Sequence, residues 1–249
     1  MKIVGVIPAR MGSSRFPGKP LAPICGRSMI EHVYKRSALC KSLDVLAVAT
    51  PDQAIAEAVE AFGGTVIMTS PSHERATDRV AEAAETTGGD LVIVIQGDEP
   101  LLHPEMIDAA ITPVANDDTV FCSNLIEPIE SVEEFESPNT IKVTMDHDRN
   151  ALYFSRSPIP SLYRHDFTGA PVFKQVCIIP FRHDALRQFV AMEPTPLEVV
   201  ESIDMLRVLQ HGHTVRLVET KYRTLAVDEA DEIHAVERAM EADPLFQVY

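Results

Sequence analysis

The sequence predicts an α/β protein organised on a mainly parallel β-sheet, and three observations carry that expectation. Short β-branched runs alternate with helix-patterned segments through the first half of the chain. Those runs are apolar throughout rather than alternating, as strands covered on both faces are. At 249 residues with 45% hydrophobic content, the chain is long enough to bury a core without cross-links.

Taken in order, strands are expected at 3–7, 45–49, 65–68 and 91–95, with helices at 29–40, 52–62, 77–86 and 104–114. Ser28-Met29-Ile30-Glu31 has the spacing of a capping box at the start of the first helix. Gly63-Gly64 is placed to end the second helix and return the chain to a strand. Past residue 118 the pattern changes: strands at 120–125, 140–145, 151–155 and 173–179 come with little helix between them. That predicts antiparallel pairing at a sheet edge or in a small second layer. Pro158-Ile159-Pro160 and the polar residues to Pro171 read as an exposed excursion. Helices at 184–192 and 196–210, a strand at 214–219 and an amphipathic helix at 229–241 complete the chain. The whole length, 1–249, is expected to form one domain, with residues 120–180 as its excursion.

Composition excludes some partners. Thirty-seven acidic residues against 22 basic ones give a net charge of −15. A surface of that sign repels nucleic acid, whose binding depends on many phosphate-neutralising cations. No run approaches the roughly 18 apolar residues of a membrane span, and the N-terminal apolar run is too short for a signal peptide. Cys25, Cys40, Cys122 and Cys177 are widely spaced with no CxxC pair, which fits reduced thiols in the cytoplasm better than disulfides or zinc.

Against that acidic background stands a local basic cluster. Residues 8–20, Pro-Ala-Arg-Met-Gly-Ser-Ser-Arg-Phe-Pro-Gly-Lys-Pro, directly follow the first strand. Ligands in open α/β sheets bind beyond the carboxyl ends of strands. Glycines allow close backbone approach to an anion, and Arg10, Arg15 and Lys19 are cations that can neutralise a triphosphate. A P-loop is excluded: five residues separate Gly12 from Gly18 where the motif has four, and Pro20 follows the lysine. The bland alternative is a solvated basic loop.

Two acids occupy similar contexts. Asp98, in Gln96-Gly97-Asp98-Glu99-Pro100, leaves the end of the 91–95 strand and is a hard oxygen ligand of the kind magnesium requires; the alternative is a turn cap. Asp228 ends a second short apolar run, where an N-cap is the simpler reading unless it pairs with Asp98. The histidines show no metal spacing. His211 and His213 flank a glycine at a helix end, as dipole partners do. Ser13, Ser14 and Ser155 lie in no nucleophile elbow.

Together these segments resemble the 3-deoxy-manno-octulosonate cytidylyltransferases, the CMP-Kdo synthetases, over nearly the whole chain. The resemblance rests on Pro8-Ala9-Arg10, on Arg15 with Pro17-Gly18-Lys19-Pro20-Leu21, and on Val48-Ala49-Thr50. Phe62-Gly63-Gly64, Thr77-Asp78-Arg79, Gln96-Gly97-Asp98-Glu99-Pro100 and Pro138-Asn139 with Lys142 add to it. The run from Leu152 to Pro160 (Leu-Tyr-Phe-Ser-Arg-Ser-Pro-Ile-Pro) and Glu201-Ser202 complete the match. The family implies a three-layer α/β/α, Rossmann-like nucleotidyltransferase fold with a mixed, mainly parallel sheet and a small antiparallel excursion used in homodimerisation. It implies CTP and an acidic sugar as substrates and magnesium as cofactor. Nucleotide contacts would come from Ala9, Arg10, Ser14, Arg15, Lys19, Arg75 and Arg79. Lys19, Asp98 and Asp228 would be catalytic, the two acids holding the metal. Gln96, Arg156, Gln175 and Glu201 would line the sugar site. The sugar hydroxyl would attack the α-phosphorus in line and release pyrophosphate, a step that needs positioning and charge neutralisation rather than a covalent nucleophile.

Three stretches depart from the family pattern. Arg75-Ala76 stands where Ser-Gly is usual before Thr-Asp-Arg, and Pro51-Asp52 replaces Asp-Asp, a different helix entry. Gln175-Val176-Cys177-Ile178-Ile179 replaces His-Ile-Gly-Ile-Tyr, so two polar groups expected near the sugar become an amide and an alkyl chain. The acceptor is accordingly expected to be Kdo or a modified form such as 8-amino-Kdo. The alternatives are another acidic sugar of the N-acylneuraminate type, or a nucleotide-binding regulator without catalysis.

Overall fold

The computed structural model describes residues 1–12 and 15–249. The chain forms two compact units, one of Met1–Asp108 with Arg223–Tyr249, the other of Ala109–Tyr222.

In the first unit the expected alternation is present: β1 (Ile3–Pro8), the two-residue hairpin strands β2 (Pro23–Ile24) and β3 (Arg27–Ser28), α1 (Met29–Ala38), β4 (Val45–Thr50), α2 (Gln53–Ala61), β5 (Val66–Met68), α3 (Ala76–Thr87), β6 (Leu91–Ile95), and the start of α4 (Pro104–Asn116). The strands run in the order β5-β4-β1-β6, all parallel. Every residue of β1 and β6 is buried, which is why both read as unbroken apolar runs. The order reverses between β1 and β6, so the loops leaving these two strands meet at a topological switch point. Gly97 makes their approach close: a Cβ there would stand 3.3 Å from the Pro8 carbonyl oxygen. Gly63, at φ 82°, and Gly64 close α2 with bonds to the Glu60 and Val59 carbonyls, a Schellman ending that satisfies two orphan acceptors. The capping box expected at Ser28 does not form. Ser28 is the N-cap residue without a side-chain bond, and the Glu31 carboxylate pairs with Lys35 at 2.8 Å rather than reaching back to the Ser28 N–H.

The second unit contains β7 (Cys122–Pro128), α5 (Val132–Glu136), β8 (Lys142–Met145), β9 (Ala151–Ser155), β10 (Phe173–Val176), β11 (Ile178–Arg182), α6 (His183–Ala191), α7 (Pro196–Glu201), α8 (Met205–Gln210) and β12 (Val215–Glu219). β7 pairs antiparallel with β10 and β11 and parallel with β12, while β8 joins β10 to β9. Cys177 divides the expected 173–179 strand in two. The expected 196–210 helix is also two helices: Ser202 adopts a left-handed φ of 55°, which an α-helix cannot propagate. The carbonyls released there find another donor, since Arg156 bonds Glu201 O at 2.7 Å and Ser202 O at 3.4 Å. Periodicity cannot register such a break. The 158–171 stretch is mostly exposed, but Leu162 and Phe167 anchor it on Ile129, Phe135 and Val172.

The chain then completes the first unit with a 3-10 turn at Ala230–Glu232 and α9 (Ile233–Glu241). Val236 and Met240 of α9 pack with Ile24, Met29 and Val227. Each such buried side chain contributes roughly 1.5–3 kcal/mol.

Candidate active site

The site in the first unit is built on the two loops at the switch point. Gly18, at φ 75°, introduces a short 3-10 turn at Lys19–Leu21, and Lys19 is thereby directed at the end of β6. Its Nζ lies 2.8 Å from Asp98 Oδ2, 2.8 Å from the Val227 carbonyl and 3.6 Å from Asp228 Oδ1. Arg15 donates to the same Asp228 oxygen at 2.8 Å. Asp98 and Asp228 are therefore brought together around one ammonium. Asp228 does not cap a helix: Glu229 is the N-cap of the 3-10 turn that follows.

Asp228 is held in place from three directions. Val227 is fully buried in the α9 cluster, its N–H bonds the Asp98 carbonyl at 2.9 Å, and the Asp228 N–H bonds Glu232. Burial pushes the Asp228 carboxyl above its ordinary range; Lys19 opposes this, Asp98 adds to it, Arg15 opposes and Glu232 adds. Carboxylates crowded onto one ammonium form an environment that a divalent cation would relieve.

The other expected nucleotide residues take different positions. Ala9 extends β1 by bonding Ala49 O at 2.9 Å. Arg10 is exposed. Arg75 is the backbone N-cap of α3. Arg79 is buried, and its guanidinium braces the 69–73 loop through Thr69 Oγ1 at 2.7 Å, Ser70 O at 3.2 Å and His73 O at 3.1 Å. Burial lowers its pKa, with Arg10 as the next cause. Glu82 holds the same loop by accepting from the Ser70 N–H at 2.9 Å and pairing with His73. Ser13 and Ser14 lie outside the described residues. Gln96 is half-buried at the exit of β6.

In the second unit, Arg156 and Glu201 are joined. Glu201 accepts from the Arg156 N–H at 2.8 Å, Ser155 Oγ at 3.0 Å and Tyr153 OH at 3.4 Å. Arg156 donates Nε to Glu201 O, Nη1 to Pro138 O and Nη2 to Ser202 O. A guanidinium has five N–H donors, so each terminal nitrogen keeps one beyond these bonds. Gln175 does something else: its amide donates to the buried Asn124 at 2.6 Å. The residue beneath this cluster is named in the sequence only as part of the family resemblance, with no role assigned to it. Lys142, wholly buried, donates to the carbonyls of Ser137, Thr140 and Arg156 at 2.8, 2.7 and 2.5 Å. A lysine within a strand carries no signal that it points inward. His211 and His213, expected as helix-dipole partners, instead bond the Glu193 carbonyl and stack on Phe121, respectively.

Among the described residues no three His, Cys, Asp or Glu side chains gather as a metal cage. Two hard carboxylates nevertheless suit magnesium, which keeps water and substrate phosphates in its other positions.

Comparison with known proteins agrees with this geometry. The family model described as cytidylyltransferase matches residues 4–219. A 3-deoxy-manno-octulosonate cytidylyltransferase of Geobacter metallireducens is 44% identical, covering 95% of this chain and 96% of the relative. That of Solibacter usitatus is 41% identical over 98% and 96%. A solved structure of CMP:2-keto-3-deoxy-manno-octonic acid synthetase complexed with CTP superposes with a TM-score of 0.89 at 37% identity, covering 97% of this chain and 99% of that one. A 4-diphosphocytidyl-2C-methyl-D-erythritol synthase, at 16% identity, a TM-score of 0.65 and coverage of 96% and 99%, shares the fold. The α/β fold with its mixed, mainly parallel sheet is that of these relatives, and the chain belongs to the cytidylyltransferase family.

Proposed function

We propose that this chain transfers CMP from CTP to 3-deoxy-manno-octulosonate, yielding the CMP-sugar and pyrophosphate. The observation that carries the reading is the convergence of Asp98 and Asp228 on the Lys19 ammonium, at the switch point where a nucleotide is expected. Arg10, Arg15 and Lys19 neutralise the phosphates, and Arg15 and Lys19 leave their carboxylates to do so. Asp98 and Asp228 would then hold magnesium, which when bound supplies positive charge to the phosphates. Arg156 offers its two remaining donors to the sugar carboxylate, and Glu201 orients it. No side chain is required as a covalent nucleophile.

The names of the relatives support Kdo as the acceptor. The modified-sugar reading rested on Gln175 and Ile179. Gln175 is engaged by Asn124, and Ile179 is 4% exposed, so both are accounted for by packing within their own sheet. Kdo is therefore expected to be used at least as well as its 8-amino analogue in parallel kinetics. A homodimer, with the 120–180 segment contributing its surface, fits the exposed Leu152 and Tyr163 of that segment. Among the described residues no helix is long and apolar enough to cross a membrane. A cytoplasmic enzyme supplying activated sugar for lipopolysaccharide or another surface glycan is the setting we infer.

Mixing the protein with CTP, Mg²⁺ and a panel of acidic sugars tests the reading through pyrophosphate release. Release is expected with Kdo and lost in Asp98→Ala, whose circular dichroism stays that of the parent. Release with an N-acylneuraminate alone overturns the reading in favour of the other acceptor. Failure to release pyrophosphate with every sugar overturns it in favour of a non-catalytic binder.

A further inference from the structure

We propose that Asp52 is a positioning residue for the nucleotide loop, clamping its two ends together from the β4–α2 junction; this rests on reading that loop as the CTP site. Asp52 occupies the N-cap position of α2, yet its side chain makes no cap bond there. Its Oδ2 instead accepts the Met11 N–H at 2.7 Å, 41 residues away in sequence. The Met11 carbonyl in turn accepts the Gly18 N–H at 3.1 Å. One carboxylate therefore secures residue 11, and residue 11 is stitched to the glycine that sets the direction of Lys19. The anchor is itself fixed, because the Asp52 N–H bonds the hydroxyl of the fully buried Thr50 at 3.1 Å.

An acid this close to a phosphate loop needs compensation, and the same unit provides it. The Asp52 charge acts on the Arg79 guanidinium, which Arg10 and Glu82 also influence. The departure from the Asp-Asp pattern lies at Pro51 alone, and Asp52 keeps the acid of the second position. Pro51 has no N–H to offer, and Asp52 turns its carboxylate away from the helix and toward the loop.

Three measurements on the full chain test this, using Asp52→Ala and Asp52→Asn. Asp52→Ala should speed hydrogen exchange at the Met11 and Gly18 amides, since it removes the acceptor from one and the anchor from the other. It should weaken binding of CTP alone about tenfold, the scale of one charge-assisted bond, while the KM for sugar stays unchanged. Asp52→Asn keeps an acceptor oxygen and should bind CTP within about threefold of the parent. Unchanged exchange or unchanged CTP affinity in Asp52→Ala overturns the proposal, as does an Asp52→Asn variant as weak as the alanine. Faster exchange in a protein that releases no pyrophosphate with any sugar would sustain the clamp and refute the activity instead.

Discussion

Replacing Lys19 by Met removes the cation around which the site is assembled while keeping the volume of its stem. The structure sets the size of the effect. The ammonium makes one charge-assisted bond to Asp98 and one to the Val227 carbonyl, both 2.8 Å, with Asp228 at 3.6 Å. Exposures of 15%, 28% and 19% for Lys19, Asp98 and Asp228 place the cluster between the surface and the interior. Exposed pairs contribute about 0–1 kcal/mol and removal of one buried partner costs about 3–5, so a loss of about 2 kcal/mol is expected. For a chain this long that is a fall in Tm of about 4–8 °C. Magnesium should reverse part of that fall. If Asp98 and Asp228 hold the ion as proposed, it would compete with Lys19 for the carboxylates in the parent and not in Lys19→Met, so millimolar Mg²⁺ should raise the variant's Tm by more than the parent's. Turnover should drop by about 10²–10³, the usual effect of deleting one group that meets developing phosphate charge. Thermal melts with and without Mg²⁺, run beside pyrophosphate release, read both effects. A variant with kcat/KM for CTP within about threefold of the parent would refute the role of Lys19. Equal Mg²⁺ shifts in both proteins would refute the placement of the ion.

Two further outcomes concern the second unit. Glu201→Gln sets an amide NH2 where Ser155 and Tyr153 donate, so the KM for the sugar should rise about 10–100-fold with the KM for CTP unchanged; parallel rises in both would remove Glu201 from the sugar site. Lys142→Met leaves three buried carbonyls without their shared donor and should cost about 2–4 kcal/mol in urea unfolding at pH 7. Burial, followed by the Arg156 charge, lowers the Lys142 ammonium to about 8 against Glu201's opposing pull, from 10.5 in the unfolded chain. Between these values the unfolded state binds more protons, so the parent gains stability as pH rises from 8 to 10.5, by up to ~3 kcal/mol. Lys142→Met lacks that gain, and a gap between the two proteins that does not widen across the window would refute it.

The α/β class, the strands of the first unit and the loop that carries the basic residues are legible in the amino-acid order alone. Those features are written in local signals: unbroken apolar runs, helix periodicity and a glycine pair at a helix end. β6 spans the expected 91–95 without an error at either end, because burial on both faces leaves no ambiguity of period. Asp98 and Asp228 also stand out as candidates before any folding, through their positions at the ends of apolar runs, and Lys19 through the basic loop after the first strand. That the two acids share one ammonium emerges only in the folded chain, since they stand 130 residues apart. Folding likewise settles that Arg79 braces a loop, that Gln175 bonds Asn124, and that Asp52 and Lys142 have roles at all. A side chain's partner depends on where other strands deliver their backbone, and a polar residue in a strand or at a helix start looks the same whether it faces water or a carbonyl. The break at Ser202 shows the same physics: the helix ends there with its carbonyls on Arg156, a donor that no window around residue 202 contains.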